Sequence, residues 1–324
     1  MQAIVQDRFG PPDVLELRDI DEPRAGDDDV LVRVRAASVN PADWYAMTGT
    51  PYLARPQMGL RRPKTRLGLD LAGVVEAVGG NVARLKPGDE VFGAGEGTLA
   101  EYVAVAEDGL VLKPANVSFE QAAAVPVAGL TALYALEEGG QLLGRSVLVT
   151  GASGGAGLFA LQLARMAGAR VVALVRRQEH EELVREAGAH EVAVDEGGAA
   201  AGENGPYHLI LDSVGGEVLG NALSMLAPEG TCVSFGVSGG AEITFDARNL
   251  YLTGGAKLYG FILFHEVIAR PASDGLARLV SLVNEGKLKP RIEVEAPWTE
   301  VGEVAARLIE RGYTGKAVLR VSQG

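Results

Sequence analysis

The chain has 324 residues, 47% of them hydrophobic and 22% charged; this is globular composition, long enough for two domains, with no apolar run near the roughly 20 residues that span a bilayer. Its 42 acidic against 30 basic side chains, a net charge of −12, argue against a binder of nucleic-acid backbones, which carries excess Lys and Arg. One cysteine, Cys232, excludes an intrachain disulfide and a cysteine-based metal site and reads as a small core residue, and the four histidines, His180, His190, His208 and His265, show no pair at metal-ligand spacing, so no metal is expected.

Residues 1–10 contain no basic cluster followed by an apolar block, so no secretory signal is read there and a cytoplasmic location is expected. Up to about residue 120, alternation with Gly and Pro punctuation predicts short β segments at 3–6, 14–17, 30–35, 72–78, 90–92 and 100–105. Between them, residues 52–66 have no regular period and carry Arg55, Arg61, Arg62, Lys64 and Arg66. That loop is either a solvated excursion or a local attractor for an anionic cofactor or substrate.

From about Phe119 the pattern changes. Helices are predicted at 120–138, 157–167, 179–187 and 218–226, with apolar strands at 147–150, 171–175, 191–194, 209–212, 232–235 and 257–262. Strands alternating with helices imply an α/β, doubly wound parallel sheet. Residues 197–205 read as a small flexible linker. The apolar stretch 258–264 reads either as an edge strand able to extend a sheet between subunits or as a buried central strand. The tail from about 271 shows two helical patterns around 290–294 and a closing β run at 317–321, expected to return to the first domain. The expected division is therefore 1–119 with 263–324, and 120–262.

The strand at 147–150 runs into Gly151-Ala-Ser-Gly-Gly-Ala-Gly157. A strand, a tight glycine turn and a helix place N-terminal amides and the helix dipole against a pyrophosphate. The spacing is Ala152-x-Gly154-x-x-Gly157, a Gly-x-Gly-x-x-Gly pattern with Ala in the first place, and its strand-turn-helix setting makes it a dinucleotide site. At the tip of the following strand stand Arg176 and Arg177, with no acidic residue. An acid there binds the ribose 2′-hydroxyl and an arginine accommodates a 2′-phosphate, so NADPH is favoured over NADH; the other reading is two arginines decorating a helix start.

Several segments then carry a resemblance: Val39-Asn-Pro-Ala-Asp43, Gly68-Leu-Asp-Leu-Ala-Gly-Val-Val-Glu-Ala-Val-Gly79, Lys86-Pro-Gly-Asp-Glu-Val-Phe92, Ala100-Glu-Tyr-Val103, Pro126-Val-Ala-Gly-Leu-Thr-Ala-Leu133, the glycine loop and Gly315-Lys-Ala-Val-Leu319. In this order they resemble the medium-chain dehydrogenase/reductase superfamily, and within it the zinc-free quinone oxidoreductase branch to which zeta-crystallin belongs. The resemblance implies a GroES-like β-rich catalytic domain, a Rossmann domain with the active cleft between the two, and a homodimer. Zinc alcohol dehydrogenases of the superfamily have a cysteine near the position of Asn40 and Gly-His-Glu where this chain has Gly68-Leu69-Asp70. Zinc-assisted alcohol oxidation is therefore not expected.

Residues 40–45, Asn-Pro-Ala-Asp-Trp-Tyr, resemble the family stretch in which an Asn and a Tyr face the nicotinamide and the substrate carbonyl. On that resemblance Tyr45 is the candidate oxygen-stabilising donor and Asn40 the candidate orienting group. From the residues alone, Tyr45 also reads as a packed aromatic, Asn40 as a turn former beside Pro41 and Asp43 as the cap of a helix beginning near Trp44. Asp70 reads as a backbone-bonded carboxylate rather than a catalytic one. Thr131 and Lys316 lie in motifs that border the cofactor in the resemblance. With Ala152, Ser153, Gly154, Gly155, Ala156, Gly157, Arg176, Arg177, Gly236 and Val237 they form the expected cofactor-binding set.

The expected activity is NADPH-dependent, metal-independent hydride transfer to a quinone or an activated carbon–carbon double bond (enone or enal), whose conjugation spreads the developing charge. Alternatives are an enoyl-thioester reductase, a zinc-free alcohol dehydrogenase and a non-catalytic NADPH-binding protein.

Overall fold

A computed structural model describes residues 1–49 and 65–321. Of the basic loop, Thr65 and Arg66 fall within that range, while Arg55, Arg61, Arg62 and Lys64 lie outside the described residues. In chain order the first elements are β1 (Gln2–Val5), β2 (Glu16–Asp19), β3 (Asp29–Val39), α1 (Pro41–Thr48), β4 (Asp70–Val78), β5 (Glu90–Ala94), β6 (Tyr102–Ala106), β7 (Leu110–Leu112), α2 (Phe119–Ala123) and α3 (Pro126–Glu137). There follow β8 (Ser146–Val149), α4 (Gly155–Met166), β9 (Arg170–Val175), α5 (Glu181–Glu186), β10 (Glu191–Val194), β11 (Tyr207–Asp212), α6 (Gly216–Leu223) and β12 (Leu226–Ser234). The last are α7 (Ala247–Thr253), β13 (Lys257–Gly260), α8 (Leu263–Ala269), α9 (Ala272–Asn284), β14 (Ile292–Pro297), α10 (Val301–Ile309) and β15 (Lys316–Arg320). Two compact units result, residues 1–128 with 271–324, and 129–270.

The alternating run in β3 is the spine of the first unit. Its seven-stranded sheet has the order β14-β15-β3-β4-β5-β7, with β6 also on β3. All its neighbours pair antiparallel except β14 with β15. One face buries Val30, Val32, Val34, Leu71, Val91 and Leu319 around the fully enclosed Trp298. Each such aliphatic side chain taken from water contributes roughly 1.5–3 kcal/mol. The tail joins this sheet because Ala317 pairs with Val39 and Leu319 with Ala37. That register brings Lys316 beside the turn between β3 and α1.

The second unit is a six-stranded, all-parallel sheet of order β10-β9-β8-β11-β12-β13. Counted from β8 this is 3-2-1-4-5-6, the Rossmann order, and it reverses direction between β8 and β11. Leu148, Val172, Ile210 and the fully buried Cys232 fill one face. A strand buried on both sides needs no polar alternation, which is why these strands read as plain apolar runs.

Three sequence expectations change and one open reading is decided. The helix expected over 120–138 is two, α2 and α3, with the break at Pro126, which has no N–H to continue the first and starts the second. Residues 197–205 are not a flexible linker. Asp195 accepts the N–H groups of Gly197 (3.1 Å) and Ala200 (3.0 Å), residues 199–204 form a 3-10 helix, and Ala201 is fully buried under the Tyr207 hydroxyl. The stretch 258–264 supplies the edge strand β13 rather than a central one. Finally, α1 begins at Pro41 with Asn40 as its N-cap, so Asp43 sits inside the first turn and is not the cap.

Candidate active site

In the second unit, β8 ends in a turn that only glycine makes freely. Gly151 has φ +57° and a side chain there would meet Ser213 Oγ at 2.4 Å. Gly154 is the extended N-cap of α4, and Gly157 lies on the turn itself: a Cβ would stand 2.6 Å from Gly151 O and 2.7 Å from Ala152 O. Ala152 is fully buried; Ser153, Gly155 and Ala156 line the partly exposed mouth. The first N–H of α4 with an intrahelical partner is that of Leu158, bonded to Gly154 O at 3.0 Å. The amides of Gly155, Ala156 and Gly157 are thus the orphan donors of the helix N-terminus, where the dipole favours an anion.

Two neighbouring loops meet that turn. Thr150 Oγ1 donates to Asp212 Oδ1 (2.7 Å), and the Asp212 carboxylate accepts the N–H of Gly215 (2.9 Å). Burial pushes the Asp212 carboxyl above its usual range. Gly236 packs so closely that a Cβ would lie 2.5 Å from Ser213 O, while the next residue, Val237, is exposed. Arg176 and Arg177 follow β9, both exposed, Arg177 within 3.2 Å of Glu179; the Ala152 N–H bonds Leu174 O, so their strand tip borders the glycine turn. Thr131 is buried on α3. Asp212 was missed by sequence reasoning; its signal is an acid closing an apolar strand.

In the first unit, Asn40, Asp43, Asp70 and Lys316 are buried together with Ser38. Asp43 is at the third helical position of α1 and accepts the N–H groups of Asn40 (2.9 Å) and Gly68 (3.1 Å), so it ties the helix start to the strand entry before β4. Burial first, and then the neighbouring Asp70, push its carboxyl up to about 7 against the opposing Lys316 charge. Asp70 Oδ2 accepts from Ser38 Oγ in a short hydrogen bond, from Asn40 Nδ2 (2.9 Å) and from Lys316 Nζ (3.3 Å). Its Oδ1 accepts the Val127 N–H at 2.7 Å. Lys316 Nζ also donates to Asn40 Oδ1 (2.5 Å) and Val39 O (3.3 Å). Tyr45 is half-buried on α1 with its ring 5.2 Å from that of Trp44.

The structure therefore brings Asn40 and Lys316 together but holds Lys316 inside the β-rich unit, with its three ammonium donors on three oxygens. Both ends of the Asn40 amide are likewise engaged. Among the described residues no three His, Cys, Asp or Glu side chains lie where they could hold a metal ion. A zinc ion wants three or four S, N or O ligands. The set Ser38, Asn40 and Asp70, with an ammonium already among it, does not fit. Two of the four histidines serve the backbone instead: Nδ1 of His190 accepts the Val171 N–H and Nδ1 of His208 that of Ser146.

Residues 26–115 match the alcohol dehydrogenase GroES-like domain and residues 155–279 the zinc-binding dehydrogenase domain. A quinone oxidoreductase of Sus scrofa is 34% identical over 331 residues, covering 98% of this chain and 97% of that one. The chain belongs to the quinone oxidoreductase family. It is accordingly an oxidoreductase of the medium-chain dehydrogenase/reductase superfamily, built from a GroES-like and a Rossmann domain. A quinone oxidoreductase of Pseudomonas aeruginosa is also 34% identical, with 96% and 97% of the two chains covered. The crystal structure of the Escherichia coli quinone oxidoreductase complexed with NADPH superposes with a TM-score of 0.87 at 26% identity, over 99% of this chain and 100% of that one. No helix among the described residues of this oxidoreductase is long and apolar enough to cross a membrane.

Proposed function

We propose that this oxidoreductase uses NADPH to reduce a quinone or an enone or enal double bond without a metal ion. Bound NADPH supplies a hydride, and a proton from solvent completes the reduction of the acceptor. The donors at the start of α4 would hold the pyrophosphate, with Gly154 and Gly157 leaving the space a side chain would fill. Arg176 and Arg177 would hold the 2′-phosphate, and no acid closes the strand to take a ribose 2′-hydroxyl instead, although Arg177 would have to share its charge with Glu179.

The observation that carries the choice of acceptor is the donor set around Asn40 and Asp70. A buried ammonium stands among them and, among the described residues, no zinc ligands accompany it, so this donor set is not one that would hold a Lewis acid against a simple alcohol or ketone. Hydride transfer then needs an acceptor that delocalises its own negative charge, and the protein's part is orientation plus a hydrogen bond. Tyr45 is the group assigned to give that hydrogen bond to the acceptor oxygen. Asn40 acts by setting the start of α1, because its amide oxygen and nitrogen each already bond a buried charged group.

Tyr45→Phe in a steady-state quinone reduction assay tests the assignment. The expected result is a kcat lower by roughly 10- to 100-fold, with the KM for NADPH within about 2-fold of the parent. An unchanged kcat removes Tyr45 from the reaction.

A further inference from the structure

Lysine is almost never fully buried unless it is paired, and Lys316 is 4% exposed. Among the described residues it is also unlike the buried lysine side chain of Lys113, which sits with Glu90 and the Phe119 ring among carbonyls. The three protons of an ammonium match three acceptors. Those acceptors are Asn40 Oδ1, Val39 O and Asp70 Oδ2, at 2.5, 3.3 and 3.3 Å.

Two consequences follow from that set. The amide of Asn40 has one possible orientation, since the cation must take the oxygen and the carboxylate the NH2 group. Asn40 is in turn the N-cap of α1, and Tyr45 is the fifth residue of that helix. The carboxylate at the centre also collects Ser38 and the Val127 N–H, so β3, β4, β15 and the start of α3 all converge on one charge pair.

We propose that Lys316 is a positioning residue for the reduction: its buried ammonium fixes the Asn40 amide and the Asp70 carboxylate, and through them aims α1 and Tyr45. It takes the place of the cofactor contact expected for this lysine from sequence. The catalytic consequence rests on the proposed function, whereas the structural one, ordering of α1, does not. Loss of the ammonium leaves a buried carboxylate unpaired and the amide free to turn, and a displacement of about 1 Å at a reacting group lowers turnover about 100-fold.

The test uses the full chain as Lys316→Ala, assayed for quinone reduction with and without methylammonium, alongside hydrogen exchange of the amides of residues 41–48. The expected result is a kcat about 100-fold lower, a KM for NADPH unchanged within about 2-fold, and faster exchange across α1. Saturable recovery of both kcat and exchange protection by methylammonium, and not by sodium at equal ionic strength, is also expected. Lys316→Met combined with Asp70→Asn removes both charges and keeps the volume. It serves if the single variant does not fold, and should show the same low kcat and fast α1 exchange. A KM for NADPH that rises with kcat retained makes Lys316 a cofactor ligand and overturns the proposal. Unchanged exchange in α1 overturns it as well, whatever the activity. Fast, methylammonium-reversible exchange together with a fully active Tyr45→Phe sustains the positioning role and discards only the part assigned to Tyr45.

Discussion

In the proposed function, Arg176 and Arg177 are the residues assigned to discriminate between two cofactors that differ by one phosphate. Both side chains are exposed at the tip of β9 beside the glycine turn, with Arg177 paired to Glu179 at 3.2 Å. Replacing both with Ala should weaken NADPH binding roughly 10- to 100-fold, the worth of charge-assisted hydrogen bonds, while NADH changes by less than about 2-fold. Equal losses in a fluorescence titration contradict the assignment. Asp43 makes a different kind of test. Its carboxyl titrates at about 7 in the folded chain against about 3.9 unfolded, so the folded protein binds this proton more tightly. The contribution to stability is largest below about pH 4 and falls as pH rises to about 7, by at most about 1.4 kcal/mol per pH unit. Asp70, Lys316 and the buried Tyr313 hydroxyl are the titratable groups around it. Denaturant unfolding of the parent and of Asp43→Asn should therefore show the parent gaining on the variant as pH falls from 7 toward 4. A pH-independent difference refutes this. The glycine loop was legible in the sequence because everything it needs lies within seven consecutive residues. The Lys316–Asp70 pair was not, because its partners are 246 positions apart and only the β15–β3 register brings them together.

At the level of elements, periodicity located every strand of the parallel sheet, since each is a short apolar run between turn residues. What it missed has local causes. Leu110–Leu112 is three residues long and its pairing with β5 is a tertiary matter. The break before α3 needed only the rule for the residue preceding proline, applied to Val125. The order in 197–205 comes from Asp195, outside that segment. β13 is the element whose sequence left its place open. It ends the parallel sheet with one edge unpaired, and Leu258, Ile262 and Phe264 around it are 41%, 54% and 42% exposed. An exposed apolar edge is a template for another strand, which fits the homodimer that the resemblance implies. Leu258→Lys, a charge of the kind that blunts natural edges, should convert a dimer into a monomer in sedimentation velocity with little effect on far-ultraviolet circular dichroism. A parent that already sediments as a monomer excludes the dimer.

For the molecule as a whole, the fold class follows from two patterns with different periods, alternating strands in the first unit and apolar strands interleaved with helices in the second. The proposed chemistry rests on what each unit offers: a helix start with unpaired amides beside an arginine tip in one, and in the other a buried lysine–carboxylate–amide cluster with, among the described residues, no zinc ligands. The most direct measurement follows NADPH oxidation by chelator-treated protein with 1,4-benzoquinone, 9,10-phenanthrenequinone, an alkenal and crotonyl coenzyme A. Turnover of a quinone or the alkenal, unaffected by the chelator, is the expected result. Turnover that disappears on chelation and returns with Zn²⁺, or that is confined to the thioester, contradicts it.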